Sequence, residues 1–548
     1  MDSVSVWTGR TASALQAALR LTNESFAEHL GIAVRTVAAW HHKPTLKPKT
    51  EMQQLLDTAL EQAPPAVKTR FTQFLACVAD TTTTRSQPVQ VPAPIHAPPS
   101  QHTGTRHQSA ATADAQRRLS TDPHIDAALD WLDRSAGWVP GASRSVVASR
   151  LAQLNVRELH NRSARRRRVN QHHIARALGE YYCERITGHG QYTAHYGRHR
   201  ETATSILTCP DWLDLDCPLL GANDRLSLAD IISSDNISLD EQAADHAAQR
   251  LVETLAMGTR LVDTPLYRLM NIDVKKGLID GTVGIIPFAQ YALTMDLLEG
   301  ELIDIISTNI PVRHGTLPLR DRYLPNIESV LDVPGRLCAG GVLALCAIAR
   351  PAGLYGQADY LLIVQERSGH VLNAAHKLAV IPKGFHEPLV DYRADTQVSS
   401  TLLREMEEEL FGRDDVDNTV SDQRSVDPMH PSRLSEPMRW LSETPHAMRM
   451  ECTGFGLNLV SGNYEFASLI VIDDEEFWAQ HGGQVEANWE SSTLRRYSSL
   501  DSSLVTELIG DVTWSNEGLF ALLQGLRRLS QIGEHRVDLP TIEWEIRS

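Results

Sequence analysis

The chain has 548 residues, of which 42% are hydrophobic and 22% are charged, and its formal net charge is −16. The length exceeds what one hydrophobic core supports, so we expect about three or four domains of ordinary globular composition. No apolar run approaches the ~18 residues that span a bilayer. The first residues, MDSVSVWTGR, also lack a signal-peptide pattern, which predicts a cytoplasmic protein without a membrane partner.

The charge is divided unevenly along the chain. Residues 1–200 carry 25 Lys and Arg against 15 Asp and Glu, whereas residues 201–548 carry 27 against 53. A basic part attracts phosphate, and an acidic part limits nonspecific binding to nucleic acid. The seven cysteines include no CxxC pair, so we expect neither a disulfide framework nor a structural zinc site.

Residues 1–79 have the pattern of a helix-turn-helix domain. The segment SFAEHLGIAVRTVAAWHHKP has an apolar stripe that includes Phe26, a turn at Gly31, and a second stripe that includes Val37 and Trp40. Apolar residues at this spacing bury one face of each helix, and glycine permits the tight turn between them. A helical bundle that makes no DNA contact has the same pattern and is the alternative interpretation.

Residues 9–62 resemble the Cro/repressor-type (XRE) helix-turn-helix family. The resemblance implies that the second helix enters the major groove of double-stranded DNA and contacts bases near its N-terminal end. The residues at that end are Ala33, Arg35 and Thr36, and an arginine there can donate two hydrogen bonds to guanine. The candidates for contacts to backbone phosphates are Gln16, Ser25, Lys43 and Lys47.

Three segments of different composition follow this head. Residues 80–121 are rich in Pro, Thr and Ser and contain no aromatic residue, which predicts a disordered linker. Apolar residues recur every three or four positions between 122 and 200, which predicts a helical basic domain, and residues 201–330 predict a mixed, mainly helical region. The run from Arg165 to Arg168 is either a second phosphate contact or a basic surface that docks on acidic residues.

Residues 331–548 combine apolar strand-like runs with helices, the pattern of an α/β domain. Their most informative segment is TLLREMEEELFG, in which Glu405, Glu408 and Glu409 would share one face of a helix. Three such carboxylates could hold Mg²⁺ or Mn²⁺ against a diphosphate, and Arg404 could orient one of them. The alternative is an acidic helix face that contacts only solvent.

Residues 335–530, in which VIPKGFHEP precedes the glutamate segment, resemble the Nudix family. The resemblance implies an α/β/α fold and the hydrolysis of nucleoside diphosphates linked to another group. It assigns Glu408 and Glu409 as catalytic groups, Glu405, Glu408 and Glu409 as metal ligands, and Arg404 and Gly384 as ligand contacts. The chain departs from the family pattern because 19 residues separate Gly384 from Arg404 and Thr396 stands in place of the loop glutamate. These departures favour a sensor over an active enzyme.

The sequence therefore predicts a multidomain bacterial transcriptional regulator. Its expected fold comprises an all-α helix-turn-helix head, a helical middle region and a Nudix-like α/β C-terminal domain that senses a nucleotide-derived ligand. A homodimer would place two heads on one DNA site. One alternative is an active Mg²⁺-dependent hydrolase with an accessory DNA-binding head, and another is an interaction protein whose acidic C-terminal surface binds a protein partner.

Overall fold

The computed structural model divides the chain into two compact units, residues 1–100 and residues 101–548. In the first unit it describes residues 7–19, 26–27, 30, 36–37, 40, 47–49, 52–53, 55–56, 59–60, 68 and 71. In the second unit it describes residues 115–122, 124–184, 186–229, 237–353, 356–369, 371, 374–412, 428–485 and 491–547. Among the described residues, the first unit has one hydrophobic core and the second unit has two.

The described residues of the first unit are mainly helical. Helix α1 spans Gly9–Leu19, and the hydroxyl of Thr8 accepts a hydrogen bond of 3.3 Å from the backbone N–H of Thr11, which caps the helix start. One core collects the buried apolar side chains, among them Trp7, Ala12, Leu15, Phe26, Val37, Trp40, Leu56 and Phe71. The apolar residues that predict the helix-turn-helix pattern therefore pack together, whereas the bounds of its two helices lie outside the described residues.

The second unit contains the remaining elements. Its helices are α2 Ile125–Ser135, α3 Ala142–Gln153, α4 Val156–Arg166, α5 Gln171–Tyr181, α6 Glu241–Met257, α7 Phe288–Ala292, α8 Leu297–Ser307, α9 Pro318–Tyr323, α10 Ile327–Leu331, α11 Val398–Glu405, α12 Glu436–Glu443, α13 Glu475–His481, α14 Ser502–Ile509 and α15 Asn516–Ile532. Its strands are β1 Gly190–Tyr196, β2 Arg200–Thr208, β3 Leu213–Pro218, β4 Asp224–Leu228, β5 Pro265–Lys275, β6 Leu278–Pro287, β7 Gly340–Arg350, β8 Asp359–Arg367, β9 Leu378–Val380, β10 Lys383–Phe385, β11 Met448–Asn458, β12 Tyr464–Ile472, β13 Ser491–Ser498 and β14 Ile542–Arg547.

An 11-stranded mixed sheet organises the second unit. Its main path runs β13-β8-β7-β12-β11-β2-β1-β14, while β10 pairs with β7, β3 with β11, and β9 with β8. The pairing of β7 with β12 is parallel, from Tyr464 opposite Gly340 to Ile472 opposite Ile348. A separate three-stranded sheet has the order β4-β6-β5. The predicted α/β character of the C-terminal part is confirmed, and the structure shows it as helices combined with a large mixed sheet.

The large sheet lies between two helical layers. Successive side chains of a strand point to opposite faces, and in β7 the side chains of Leu343 and Leu345 join the core that contains α15. The side chains of Ala344 and Cys346 join the other core, which contains Val398 of α11. Because both faces are covered, the central strands are continuous apolar runs rather than alternating ones.

The segments expected from composition do not form separate units. Strand β1, at the end of the predicted helical segment 122–200, pairs with β2 and with the C-terminal strand β14. The segment 201–330, which we expected to be mainly helical, contributes strands β2 to β6. Residues 115–121, at the end of the predicted linker, are helical, and Leu119 is buried. Long-range strand pairing depends on partners far away in the chain, so local periodicity gives little sign of it.

Two further predictions from the sequence concern membrane-spanning helices and the cysteines. Among the described residues, no helix is both long and apolar enough to cross a membrane. The six cysteines in the described part of the chain are free thiols, and four of them are buried.

Candidate functional site

The second unit contains a cavity of about 260 Å³ lined by six glutamates and four basic residues. The C-terminal part of the unit contributes Gly341, Arg367, Lys383, Gly384, Glu387, Glu405, Glu408, Asn458, Glu465 and Glu517 to the lining. Earlier elements contribute Ile174, Arg260, Thr264, Phe288, Glu299 and Ile303. The cavity therefore depends on both parts of the unit, with an uncommon density of charge at its surface.

Gly384, Arg404 and Glu405 form one contiguous arrangement at this cavity. A Cβ atom on Gly384 would lie 2.1 Å from Oε1 of Glu405, so only glycine lets the carboxylate pack against this strand. Behind the carboxylate, the Arg404 guanidinium donates to Glu405 at 2.8 Å and pairs with Glu387 at 3.0 Å. Burial raises the pKa of Glu405 despite this arginine. Arg404 thus positions a carboxylate that lines the cavity.

The three predicted carboxylates do not share one face. Residues Met406–Leu410 form a π-helical turn, which has more residues per turn than an α-helix and changes the direction of the side chains that follow Glu405. Glu408 lines the cavity with Glu405, whereas Glu409 is fully buried and accepts hydrogen bonds from the backbone N–H of Lys383 at 2.7 Å and from Gln365 at 3.2 Å. The geometry thus separates Glu409 from the pair that faces the cavity.

A second group of charged side chains lines the cavity. Nζ of Lys383 is 2.6 Å from Glu517, and the side-chain amide of Asn458 donates to Glu465 at 3.1 Å and to Glu517 at 3.4 Å. Burial, and then repulsion from Glu517, raise the pKa of Glu465. Burial also acts to raise the pKa of Glu517, but its attraction to Lys383 and its hydrogen bond outweigh that effect and lower it. A Cβ on Gly341 would lie 2.4 Å from Glu465, so glycine is required here as well.

Glu299 is a further carboxylate that lines the cavity. It lies on α8 and accepts a hydrogen bond of 3.4 Å from the backbone N–H of Ala374. Burial, and then repulsion from Asp296 and Glu517, raise the pKa of Glu299 from 4.5 to about 7. The native state therefore holds this proton more tightly than the unfolded chain does, and stability is lost as the pH rises from about 4.5 to about 7.

We expect Glu299→Gln to remove that pH dependence. The neutral amide has nearly the shape of the protonated acid, so the variant should match the parent at pH 4 and exceed its unfolding free energy by about 1–2 kcal/mol at pH 8. Urea unfolding at the two pH values measures the difference. An equal difference at both pH values would mean that ionisation of Glu299 is not its cause.

The predicted DNA-contact residues are only partly described. Gln16 is buried at 6% exposure on α1, Thr36 is half-buried within a helical segment, and Lys47 is exposed. The candidates outside the described residues are Ala33, Arg35, Ser25 and Lys43. Of the described candidates, Lys47 is the one with an exposed side chain, and the burial of Gln16 leaves less of its amide accessible.

The basic run Arg165 to Arg168 has a mixed role. Arg166 makes two hydrogen bonds, of 2.5 and 2.6 Å, to Asp304 of α8, which fits the docking alternative. Arg165 pairs with Glu158 at 3.2 Å, whereas Arg167 and Arg168 are exposed. At least part of this run therefore stabilises the unit internally.

The carboxylates of the cavity are possible ligands for a metal ion. Within the part of the chain that the structure describes, no three His, Cys, Asp or Glu side chains are arranged to hold a metal ion. Mg²⁺, however, commonly takes one or two carboxylates and completes its coordination with water and substrate phosphates. Glu405 and Glu408, which both line the cavity, fit that requirement when a phosphate ligand supplies the remaining oxygens.

The sequence pattern did not indicate several of the residues that line the cavity. Lys383 lies next to the predicted Gly384, and Glu387 is in the same quoted segment, VIPKGFHEP, at a spacing other than the family's. Glu465 and Glu517 are far away in sequence and have no local motif. Thr396, which stands at the place expected for the loop glutamate, is buried and donates to the carbonyl of Leu226 at 2.8 Å. Arg404 instead pairs with Glu387 at 3.0 Å.

No model of a protein family matches the chain, and a search of the curated proteins also finds no match.

Proposed function

We propose that this chain is a DNA-binding transcriptional regulator whose Nudix-like C-terminal part binds a nucleotide-derived ligand in the cavity. The observation that carries the proposal is that Gly384, Glu405 and Glu408, which are distant from Glu465 and Glu517 in sequence, line the same cavity of about 260 Å³. Pockets of this kind, with converging polar groups and altered pKa values, are the usual ligand sites of proteins.

The charge pattern favours a diphosphate bound with a divalent cation. Lys383 and Arg367 can donate to phosphate oxygens, whereas Glu405 and Glu408 would repel a bare anion. A divalent cation between these carboxylates and the phosphates removes the repulsion. The layered sheet, with α11 and α15 on opposite faces, supports the proposed Nudix-like fold.

A sensor and a hydrolase differ in what they do with the bound ligand. The proposed sensor binds one of two conformations more tightly and thereby shifts the equilibrium between them, for example by changing the spacing of two heads in a homodimer. The second candidate function is that of an active Mg²⁺-dependent hydrolase. The presence of both Glu405 and Glu408 in the cavity favours this function.

Glu408→Gln separates the two functions. Full-length protein is incubated with Mg²⁺ and a panel of nucleoside diphosphate derivatives, and both binding and product formation are measured. We expect the parent to bind a member of the panel without turnover, and the variant to bind it at least about tenfold more weakly because one cation ligand is lost. Glu241→Gln, at an exposed position, is the matched control. Turnover by the parent that Glu408→Gln abolishes would establish the hydrolase instead.

The DNA-binding head is tested at Arg35. We expect Arg35→Ala to lower the affinity for a duplex selected from a random pool by about 1–3 kcal/mol, because a base contact is lost, with no change in fold stability. The measurement is a fluorescence anisotropy titration at several salt concentrations, with the exposed Arg198→Ala as control. Equal affinities of parent and Arg35→Ala would remove Arg35 from the recognition surface.

A further inference from the structure

The two antiparallel helices α4 and α5 expose a short basic stretch where they are joined. The stretch 167–176, with the sequence RRVNQHHIAR, contains three arginines and two histidines and no acidic residue. All of these basic side chains are exposed to solvent, and they are Arg167, Arg168, His172, His173 and Arg176. They lie in the turn after α4 and in the first half of α5. We call these five residues the hairpin surface.

The arginines of the hairpin surface differ from those that precede them. The last three arginines of α4 each pair with a carboxylate, namely Arg162, Arg165 and Arg166. Among the residues that the structure describes, no carboxylate pairs with Arg167, Arg168 or Arg176. Acidic residues are not scarce, since residues 201–548 carry 53 Asp and Glu against 27 Lys and Arg. The positive charge of the hairpin surface is therefore left uncompensated within the described part of the unit.

The helices behind the hairpin surface are firmly packed. Ile174 and Leu178 of α5 are buried, and both α4 and α5 pack against α8. Asn170 caps α5, because its side chain accepts a hydrogen bond of 2.9 Å from the backbone N–H of His173. The backbone that carries the exposed arginines is thus already in place, and binding of a partner does not have to order it.

The loop between α14 and α15 brings an acidic residue close to the start of α5. The backbone N–H of Gln171 donates to the carbonyl of Val512 at 3.3 Å, and Asp511 precedes Val512. Asp511 pairs with Arg495 at 3.2 Å, so its charge is compensated by another arginine. On α5 itself, Glu180 ends the basic stretch one turn further along the helix. The hairpin surface therefore keeps its positive character among its neighbours.

The composition of the hairpin surface favours phosphate groups as its partner. A guanidinium has five N–H donors and no acceptor, and two of the donors fit the oxygens of one phosphate. The N-terminus of α5 adds the positive end of a helix dipole. Among the described residues between Val156 and Leu220, no large apolar side chain is exposed. Protein interfaces and membrane-bound helices use such side chains, whereas contact with a duplex backbone needs none.

We propose that the hairpin surface is a second DNA contact of this chain, in which Arg167, Arg168 and Arg176 donate to phosphate oxygens of a duplex whatever its sequence. The choice of DNA as the partner rests on the proposed function, but the surface belongs to the second unit and shares no residue with the N-terminal head. The head then selects the sequence, and the hairpin surface adds affinity that does not depend on sequence.

The test neutralises the three arginines in the full-length chain. The triple variant Arg167→Gln, Arg168→Gln and Arg176→Gln is titrated by fluorescence anisotropy with the selected duplex and with an unrelated duplex at several salt concentrations. We expect both affinities to fall at least about tenfold at about 0.1 M salt, and the slope of log affinity against log salt to become shallower by about 2–3. The ratio of the two affinities should stay constant, because phosphate contacts carry no sequence information.

Two control variants separate a phosphate contact from a general effect of charge. The first replaces exposed arginines elsewhere in the unit, as Arg198→Gln, Arg225→Gln and Arg313→Gln. It changes the net charge equally and should alter either affinity less than about twofold, since salt screens distant charges. The second keeps the charge of the hairpin surface, as Arg167→Lys, Arg168→Lys and Arg176→Lys. It should retain the parental salt slope. Circular dichroism verifies that each variant is folded.

The outcomes separate the second DNA contact from the function on which its partner rests. If the triple glutamine variant of the hairpin surface matches the first control, the contact is overturned and the DNA-binding head stands. The contact is also overturned if that variant loses binding to phosphatidylserine vesicles and keeps its duplex affinity. Absence of salt-sensitive binding of the parent to any duplex overturns the proposed function as well. Weaker binding of both duplexes, with the slope retained by the lysine variant, supports the proposal.

Discussion

Replacement of Arg404 by methionine is expected to lower the unfolding free energy by about 3 kcal/mol. The guanidinium is only 4% exposed and pairs with both Glu387 and Glu405, so its removal leaves the buried carboxylate of Glu405 without its cation. The loss of unfolding free energy should be smaller at pH 4. Burial raises the pKa of Glu405, so this carboxylate can take up a proton there. Urea unfolding at pH 4 and pH 7 measures both effects.

Two further variants control this experiment. Arg168→Met removes an exposed arginine and should change stability by less than about 0.5 kcal/mol. The double variant Arg404→Met with Glu405→Gln removes the uncompensated charge and should recover part of the lost stability. No recovery in the double variant would show that Arg404 stabilises the fold by packing rather than by its pairing with Glu405.

Gly384→Ala is expected to weaken ligand binding at least about tenfold while the chain remains folded. The new methyl group would overlap the Glu405 carboxylate at 2.1 Å, and this carboxylate cannot move freely because Arg404 holds it. Overpacking of this kind costs about 1–3 kcal/mol, and displacement of Glu405 should weaken binding of a Mg²⁺–nucleotide at least about tenfold. Calorimetric titration and thermal unfolding measure the two effects.

The matched control is another glycine with open surroundings. A Cβ on Gly483 would meet no atom within 4 Å, and this residue is exposed. Gly483→Ala should therefore leave both stability and binding unchanged. Binding by Gly384→Ala at the parental affinity would remove the Gly384–Glu405 contact from the ligand site.

The sequence predicted those parts of the fold that depend on residues close together in the chain. Apolar runs such as VLALCAIA and FASLIVI indicated buried strands, and in the structure these runs are β7 and β12, which pair in parallel. The pairing of β1 with β14 could not be predicted from the local sequence. The backbone N–H and C=O groups of each strand form hydrogen bonds with a strand about 350 residues away. Composition therefore suggested domain boundaries at places where the sheet is continuous.

The site was predictable to a similar extent. The segment TLLREMEEELFG and the preceding glycine indicated residues that do line one cavity, namely Gly384, Glu405 and Glu408. The turn Met406–Leu410 was not predictable from α-helical spacing, since a π-helical turn directs Glu409 away from where that spacing places it. Glu299 was missed for a different reason, because one glutamate on an amphipathic helix looks like any surface residue until the fold surrounds it.

We propose two binding events for this chain, with DNA at the N-terminal unit and with a nucleotide-derived ligand in the cavity. The most direct test is the affinity of the full-length protein for a selected duplex, measured by fluorescence anisotropy with and without Mg²⁺ and the nucleoside diphosphate derivative that the parent binds in the panel. We predict salt-sensitive binding whose affinity changes at least about fivefold with the ligand in the parent and stays constant in Glu408→Gln. Absence of salt-sensitive binding to any selected duplex would contradict the account.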